Sequence, residues 1–473
     1  MPLPVSGFSE GVRIVAYSGC CVLSQARKQL AGLRFFLYAP VALVGVRSAK
    51  LKGLNRGAGM TRMWFETPLW KRILLALLLG VVVGGLWGEG AVAIKWIGDL
   101  FVRLISMVVV PLVFFTLVSG LISMGDPSKL GSLGVKTLAL YMFTTFCAIS
   151  IGLVVAVLLQ PGVGVDLSAI VPGVVQETIP LTERLMSIVP SNPIAALAEG
   201  NILAVIFFAL LVGVAALVSR EKARPLAALM ESGAEVMLRI TGWVMEVAPF
   251  GVFALIAWVA GTQGVLALLD VVRLAIAVFT GCILHVVIVY GGLMKFLLRL
   301  SPLMFFRGAR DAMLVAFSTS SSSATMPVTM AVAEKNLGVR PVVATTVIPL
   351  GATINMDGTA LYVGIVTVFA TQAFGMEMGM ADYLLIMGAT TLVSVGTAAV
   401  PGASVFLMAA VMGAIGMTPA EIAVVVGFII PFDRPLDMTR TTVNVTGDLA
   451  VATVVANWEN EFDRGVFYGP KRY

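Results

Sequence analysis

Sixteen positions near the end of an otherwise very apolar chain concentrate groups that could do chemistry: Asp433, Arg434, Asp437, Arg440, Thr441, Asn444 and Asp448. Residues 341–433 contain no Lys or Arg, and then two arginines and three aspartates arrive within 433–448. On a helix, Asp433, Asp437, Arg440/Thr441, Asn444 and Asp448 share one face, with Val443 and Ala450 off it. A guanidinium is a planar fork suited to a carboxylate. Asp437, one turn earlier, suits an ammonium. Together with Asn444 and free backbone amides, these two could read an α-amino acid with an acidic side chain. The plainer reading is that Asp437 and Arg440 simply pair with each other at i, i+3. Asp433 takes no role from the pattern. At membrane depth each such charge costs roughly 2.5–3.5 kcal/mol, so the stripe must face protein or a water-filled cavity.

The bulk of the chain puts that stripe in a bilayer. Of 473 residues, 59% are hydrophobic and 12% charged, and the mean hydropathy is +0.98. Apolar runs of about 20 residues match helical crossings better than the shorter alternating strands of a barrel. The formal charge of +6 is misleading. Nine bases (Arg13, Arg27, Lys28, Arg34, Arg47, Lys50, Lys52, Arg56, Arg62) lie in residues 1–62 against one acid, Glu10. Nucleic-acid binding therefore does not follow from it. Residues 1–62 read as a basic extension or an upstream start, because Met60-Thr-Arg-Met63 leads directly into a strong first helix. Cys20, Cys21, Cys147 and Cys282 form no metal or redox spacing. His285, the only histidine, reads as a packed, satisfied residue. An intramembrane serine hydrolase is set aside, because His285 lies alone in an apolar run with no nucleophile-elbow motif.

Six apolar segments, near 69–88, 93–123, 133–160, 194–219, 229–261 and 265–298, alternate under the positive-inside rule. Lys71 and Arg72, then Lys136, then Arg220, Lys222 and Arg224, then Lys295, Arg299, Arg307 and Arg310 mark the inner side. Both termini are expected there. Residues 311–334 and 384–416 are apolar but interrupted, at Ser318–Pro327 and Ser394–Ser404, and are expected to form re-entrant hairpins of two half-helices. The pattern is hairpin, helix, hairpin, helix. Each helix is expected to carry a polar break, Asn355-Met-Asp357-Gly-Thr359 in the first and Asn444-Val-Thr-Gly-Asp448 in the second. Paired interrupted segments point to inverted repeats around a midplane site. Half-helix N-termini offer N–H groups to a carboxylate, and unwound carbonyls with Asn and Asp oxygens suit sodium.

These residues resemble the glutamate/aspartate transporter family, the dicarboxylate/amino acid:cation symporters, in its sodium-coupled branch. The resemblance spans roughly residues 66–460. It rests on Ser320–Ser323, Pro349–Thr359, the Val400-Pro-Gly-Ala403 tip and Asp437…Arg440-Thr…Asn444-Val-Thr-Gly-Asp448. It implies an all-α polytopic membrane protein with eight transmembrane helices, two re-entrant hairpins and elevator-type transport in a homotrimer in the cell membrane. The implied scaffold helices lie in 63–132 and 161–263. The implied transport domain comprises 133–160 and 264–458, with 459–473 as a cytoplasmic tail. By the family pattern, Arg440 holds the substrate's side-chain carboxylate and Asp437 its amino group. Asn444, Ser321 and Ser322 hold the α-carboxylate, with Thr359, Thr441, Met356, Val400 and Ser404 around the substrate. One Na+ site would use Gly351, Asn355, Asn444 and Asp448. A second would use Thr353, Met356, Ser394, Val395 and Thr397, and a third Tyr141, Thr144, Thr145, Asn355 and Asp357. Ser320 and Ser404 depart from the family pattern, the first where some prokaryotic members carry an arginine and the second where glycine is usual. The implied function is sodium-coupled import of L-glutamate or L-aspartate. A proton-coupled or C4-dicarboxylate carrier on the same fold is the rival, and Asp437 weighs against a substrate lacking an ammonium.

Overall fold

Residues 354–371 are all buried and show how the chain is built. In a computed structural model describing residues 67–123, 127–165, 186, 188–262, 264, 268–395 and 404–471, five helical stretches are long and apolar enough to cross a membrane. They are Leu69–Ile122, Gly131–Leu159, Ile202–Thr262, Val271–Leu297 and Pro341–Ala373. The first and third run to 54 and 61 residues, more than twice the length one crossing needs, and each resolves into two helices. An 18-residue window of Pro341–Ala373 is 94% buried, whereas the corresponding windows of the others are 39–44% buried. Four stretches therefore present a face to lipid, and the fifth is wrapped in protein. The expectations for residues 1–62 fall outside the described residues.

The helices are α1 (Leu69–Trp87), α2 (Lys95–Ser123), α3 (Pro127–Leu159), α4 (Pro193–Glu199), α5 (Ile202–Ser219) and α6 (Arg224–Thr262). They continue with α7 (Leu268–His285), α8 (Pro302–Thr319), α9 (Ser322–Lys335), α10 (Pro341–Ile354) and α11 (Asp357–Ala373). The last are α12 (Met380–Val395), α13 (Ser404–Ala414), α14 (Pro419–Ile429), α15 (Asp433–Trp458) and α16 (Arg464–Tyr468). The segment expected as one span over 194–219 is interrupted. Gly200, at φ 76°, ends α4, and the Asn201 side chain caps α5. Helix α6 packs along α1 and α2, and α5 along α2. Helices α3, α8, α10 and α11 pack on α15, with α7 against α3 and α11.

The first hairpin is α8 and α9, which pack on each other; it begins at Pro302, earlier than the apolar pattern indicated. Its turn is local. Ser320 adopts φ 53°, ψ 36° to end α8, and Ser321 is extended and caps α9 by accepting from Ala324 N at 3.2 Å. The Thr319 and Thr325 hydroxyls, 3.1 Å apart, close the tip. The second hairpin is α12 with α13, also packed together, and its tip at 396–403 lies outside the described residues.

The break between α10 and α11 falls at Asn355 and Met356, as expected. The mirror break does not exist. Helix α15 runs unbroken through Asn444–Asp448. Its interruption lies earlier, where Ile430–Phe432 form a single tighter turn after α14. A polar motif marks a break only if its backbone groups find other partners. Gly358 N does so on α11, donating to the Asn444 side chain at 2.8 Å. Asn444 thus satisfies another helix's orphan donor while remaining helical itself.

Helix α7 continues as π-helical turns over Val286–Tyr290 and Leu293–Leu297. A π turn closes at i, i+5, which aligns His285 with Tyr290; their rings meet edge to face at 4.7 Å. Beyond α15 the chain returns to the loop before α10. Val339 and Phe462 form an antiparallel bridge, Asp463 N donates to Gly338 O at 2.7 Å, and Arg340 N donates to Glu461 O at 3.0 Å.

Candidate functional site

The polar residues of α15 meet the α10–α11 break and the second hairpin in two adjoining clusters. The first is centred on Arg440, which is fully buried. Its Nη1 donates to Asp433 Oδ1 at 2.9 Å, and its Nη2 donates to Asp437 Oδ1 at 3.0 Å and to the Ser404 hydroxyl at the start of α13. The guanidinium stacks 3.8 Å over the Tyr362 ring, whose hydroxyl also donates to Asp433 at 3.1 Å. Arg440 Nε has no hydrogen-bond partner. The i, i+3 pairing of Asp437 with Arg440 is therefore real, but it is one limb of a larger network. Asp433, which took no role from the sequence, supplies the second carboxylate. Gly358 lies against the backbone of Arg440, so any side chain there would clash.

The second cluster joins α10, α11, α15 and α3. Asn355 Nδ2 donates to Asp448 Oδ1 at 2.9 Å and to Asn444 O at 3.3 Å. Asn444 Nδ2 reaches Met356 Sδ at 3.2 Å. A Cβ on Gly351 would strike both Asp448 Oδ1 and the Tyr141 hydroxyl, so these two groups converge on bare helix backbone. Tyr141 itself donates to Val347 O at 3.0 Å. Asn444 O and Asp448 Oδ1 thus stand around the Asn355 amide nitrogen, and oxygens of this kind are the donors a hard cation takes. No group of three or more His, Cys, Asp or Glu that could hold a metal occurs among the described residues. A cation here would be held mainly by amides and carbonyls.

Asp357 differs from this set. It is fully buried and accepts from Thr145 at 2.7 Å and Tyr290 at 2.8 Å, with His285 Nε2 at 3.3 Å. His285 is packed as expected but is not alone, and only its Nδ1 lacks a partner. Sequence spacing missed Tyr290 and the His285–Asp357 pair because they depend on the π turn. Thr144 Oγ1 is 3.5 Å from Asn355 Oδ1.

The remaining candidates are placed as follows. Ser322, Met356, Thr359 and Thr441 are buried. Ser321 caps α9, which packs on α15. Thr353 and Ser394 donate back to Leu350 O and Thr391 O within their own helices. Val395 ends α12. Thr397 and Val400 lie outside the described residues. Arg434 is buried with its Nη1 3.8 Å from Asp437 Oδ2.

Comparison with known proteins gives the sodium:dicarboxylate symporter family as matching residues 69–458. A proton/glutamate-aspartate symporter of Bacillus subtilis (strain 168) is 36% identical over 398 residues, covering 83% of this chain and 95% of that protein. A proton/sodium-glutamate symport protein of Geobacillus stearothermophilus is 34% identical over 404 residues, 83% of this chain and 94% of its own. A C4-dicarboxylate transport protein of Anaeromyxobacter sp. (strain K) is 33% identical over 408 residues, 84% and 91%.

Proposed function

The chain belongs to the sodium:dicarboxylate symporter family, and from that premise we propose that it is a sodium-coupled symporter that carries L-glutamate or L-aspartate across the cell membrane. It is a multi-pass membrane protein of a transporter family. The observation that carries the substrate reading is the sharing of Arg440 between Asp433, Asp437 and Ser404. An acidic amino acid brings a carboxylate and an ammonium. Its side-chain carboxylate displaces Asp437 from the guanidinium, and the released Asp437 takes the ammonium. No buried charge is then left unpaired, which would otherwise be strongly unfavourable. A C4-dicarboxylate offers no ammonium and strands Asp437. Asn444 and the N-terminus of α9, with Ser321 and Ser322, take the α-carboxylate. Ser404 closes from the second hairpin. Thr359, Thr441, Met356 and Val400 complete the pocket.

For coupling, Na+ replaces the Asn355 amide hydrogens between Asn444 O and Asp448, with Gly351 O beside them. Binding turns the Asn355 oxygen toward the ion. Thr353, Met356, Ser394, Val395 and Thr397 hold a second ion as the outer hairpin closes. A second reading has its own support. Asp357, expected with Tyr141, Thr144 and Thr145 in a third sodium site, already receives Thr145, Tyr290 and His285. Those donors occupy the carboxylate oxygens that a cation would need, and coupling to protons instead is in keeping with the relatives named as proton symporters. In either reading α3 and α7 to α15 move as one body past α1, α2 and α4 to α6 within a homotrimer, with eight crossings and two hairpins.

The test is uptake of radiolabelled aspartate, glutamate and succinate into proteoliposomes under separate inward sodium and proton gradients. Sodium-driven uptake of the two amino acids is expected, with succinate a poor substrate. Uptake that follows only the proton gradient selects the second reading, and succinate uptake equal to aspartate removes the role given to Asp437.

A further inference from the structure

Helix α15 carries Arg434, Asp437 and Arg440 at successive i, i+3 positions, which sets one carboxylate between two guanidinium groups. All three side chains are buried. The two cations face different oxygens of Asp437. Arg440 Nη2 donates to Oδ1 at 3.0 Å, whereas Arg434 Nη1 lies 3.8 Å from Oδ2. The longer distance is an ion pair outside hydrogen-bond reach, and Arg434 Nη1 and Nε have no hydrogen-bond partner. The helix dipole opposes a cation in this first turn, and burial adds to the cost. Asp437 is the carboxylate that offsets both. Among the described residues the other buried guanidiniums are Arg440 and Arg72, and Arg72 is committed to Glu246 of α6. Ser320, at the tip of the first hairpin, brings no charge. Once a substrate carboxylate has taken Arg440, Arg434 is the cation left beside Asp437.

We propose that Arg434 is a positioning residue for recognition of the substrate's amino group: it holds Asp437 Oδ2 while Oδ1 changes partner from Arg440 to the ammonium. The proposal rests on the substrate reading above and deepens it. A carboxylate has two oxygens and about four lone-pair sites, so the two partners can act at once. When Arg440 is taken, the pull on Oδ1 weakens. A small turn of the carboxyl group then brings Oδ2 within hydrogen-bond reach of Nη1, which has no other partner to give up. Asp437 therefore stays paired throughout the exchange, where a buried carboxylate without a cation would be strongly unfavourable. Its orientation is set by the protein before the ammonium arrives, which favours binding of amino-bearing substrates. Arg434 itself does not touch the substrate, and it has no contact with the Asn355–Asp448 cluster.

The full-length protein is reconstituted in proteoliposomes, and L-aspartate uptake is measured under whichever ion gradient drives it in the wild type. In Arg434→Met the KM for aspartate should rise about tenfold, the effect of losing one charge-assisted hydrogen bond. Vmax and the coupling-ion concentration giving half-maximal uptake at saturating aspartate should stay at their wild-type values. Arg434→Lys, which restores the charge, should recover most of the affinity. Should Arg434→Met fail to fold, Arg434→Gln takes its place, with a smaller rise in KM because it keeps an uncharged donor. An unmoved KM, a loss of Vmax or of ion affinity as large as the change in KM, or a lysine variant as impaired as the methionine one would overturn the proposal. Succinate uptake serves as the control on the reading beneath it. A wild type that carries succinate as well as aspartate removes the ammonium role of Asp437 and this role of Arg434 with it. A wild type that prefers aspartate, with KM unmoved in Arg434→Met, removes the role of Arg434 alone.

Discussion

Arg440 is the largest fully buried side chain among the described residues, and its neighbours decide what can replace what around it. Under the substrate reading, Arg440→Cys leaves Asp433 and Asp437 without their shared cation. Uptake of aspartate and glutamate should fall to background in that variant, while uptake of serine or cysteine appears; unaltered glutamate uptake would refute the role. Asp448→Asn removes the carboxylate bonded to Asn355. The sodium concentration giving half-maximal aspartate uptake should then rise by about tenfold or more, as expected when a charged ligand becomes neutral, and an unshifted titration would count against the cation site. At this scale the sequence was largely legible. One-face spacing brought Asp433, Asp437, Arg440, Asn444 and Asp448 together correctly. Tyr362 beneath the guanidinium could not be read, because it depends on how α11 crosses α15.

Breaks in helices proved readable where the residues themselves redirect the backbone, and unreadable where a neighbour does so. The serine-rich tip between α8 and α9 makes its own turn through Ser320 and its own cap through Ser321, so the hairpin was visible in the chain. The Asn444–Asp448 motif copies the lettering of 355–359 but stays helical, because its side chains serve α10 and α11 instead of its own backbone. The π turns of α7 left no readable trace. Ser320 provides an element-scale prediction. Its φ of 53° is a left-handed conformation that costs an L-residue about 1–2 kcal/mol. Ser320→Gly should preserve or raise the melting temperature of the purified protein, and Ser320→Val should lower it, with β-branching adding to the strain. Equal melting temperatures would show that the turn does not require this conformation.

Across the whole molecule, the chain end ties separate helices together. Glu459, one residue beyond α15, accepts from Lys136 Nζ at 2.9 Å and Ser132 Oγ at 2.8 Å, both on α3. The hydrogen bond from Lys136, then that from Ser132, holds its carboxyl below the ordinary glutamate value. A carboxyl with a lowered folded value stabilises above the unfolded value and loses that contribution as pH falls through the folded one. Acidification through and below the usual glutamate range should therefore loosen α3 from the end of α15. Hydrogen exchange at residues 132–136 should rise in that window in the native protein and be insensitive to it in Glu459→Gln. An unchanged pH response in the variant would assign the effect to other groups.

The enclosure of Pro341–Ala373 has a mechanical consequence. A helix with one face on lipid can slide or tilt by shearing that face through fluid chains. From 354 to 371 this one has no exposed residue, and there it lies close enough to its neighbours for backbone to touch side-chain-free backbone, at Gly152 against Leu361 and at Gly358 against Arg440. It is keyed like an axle in its hub. Displacing α11 alone would break these close backbone contacts, so a shift of the Asn355 break should carry α3 and α15 with it.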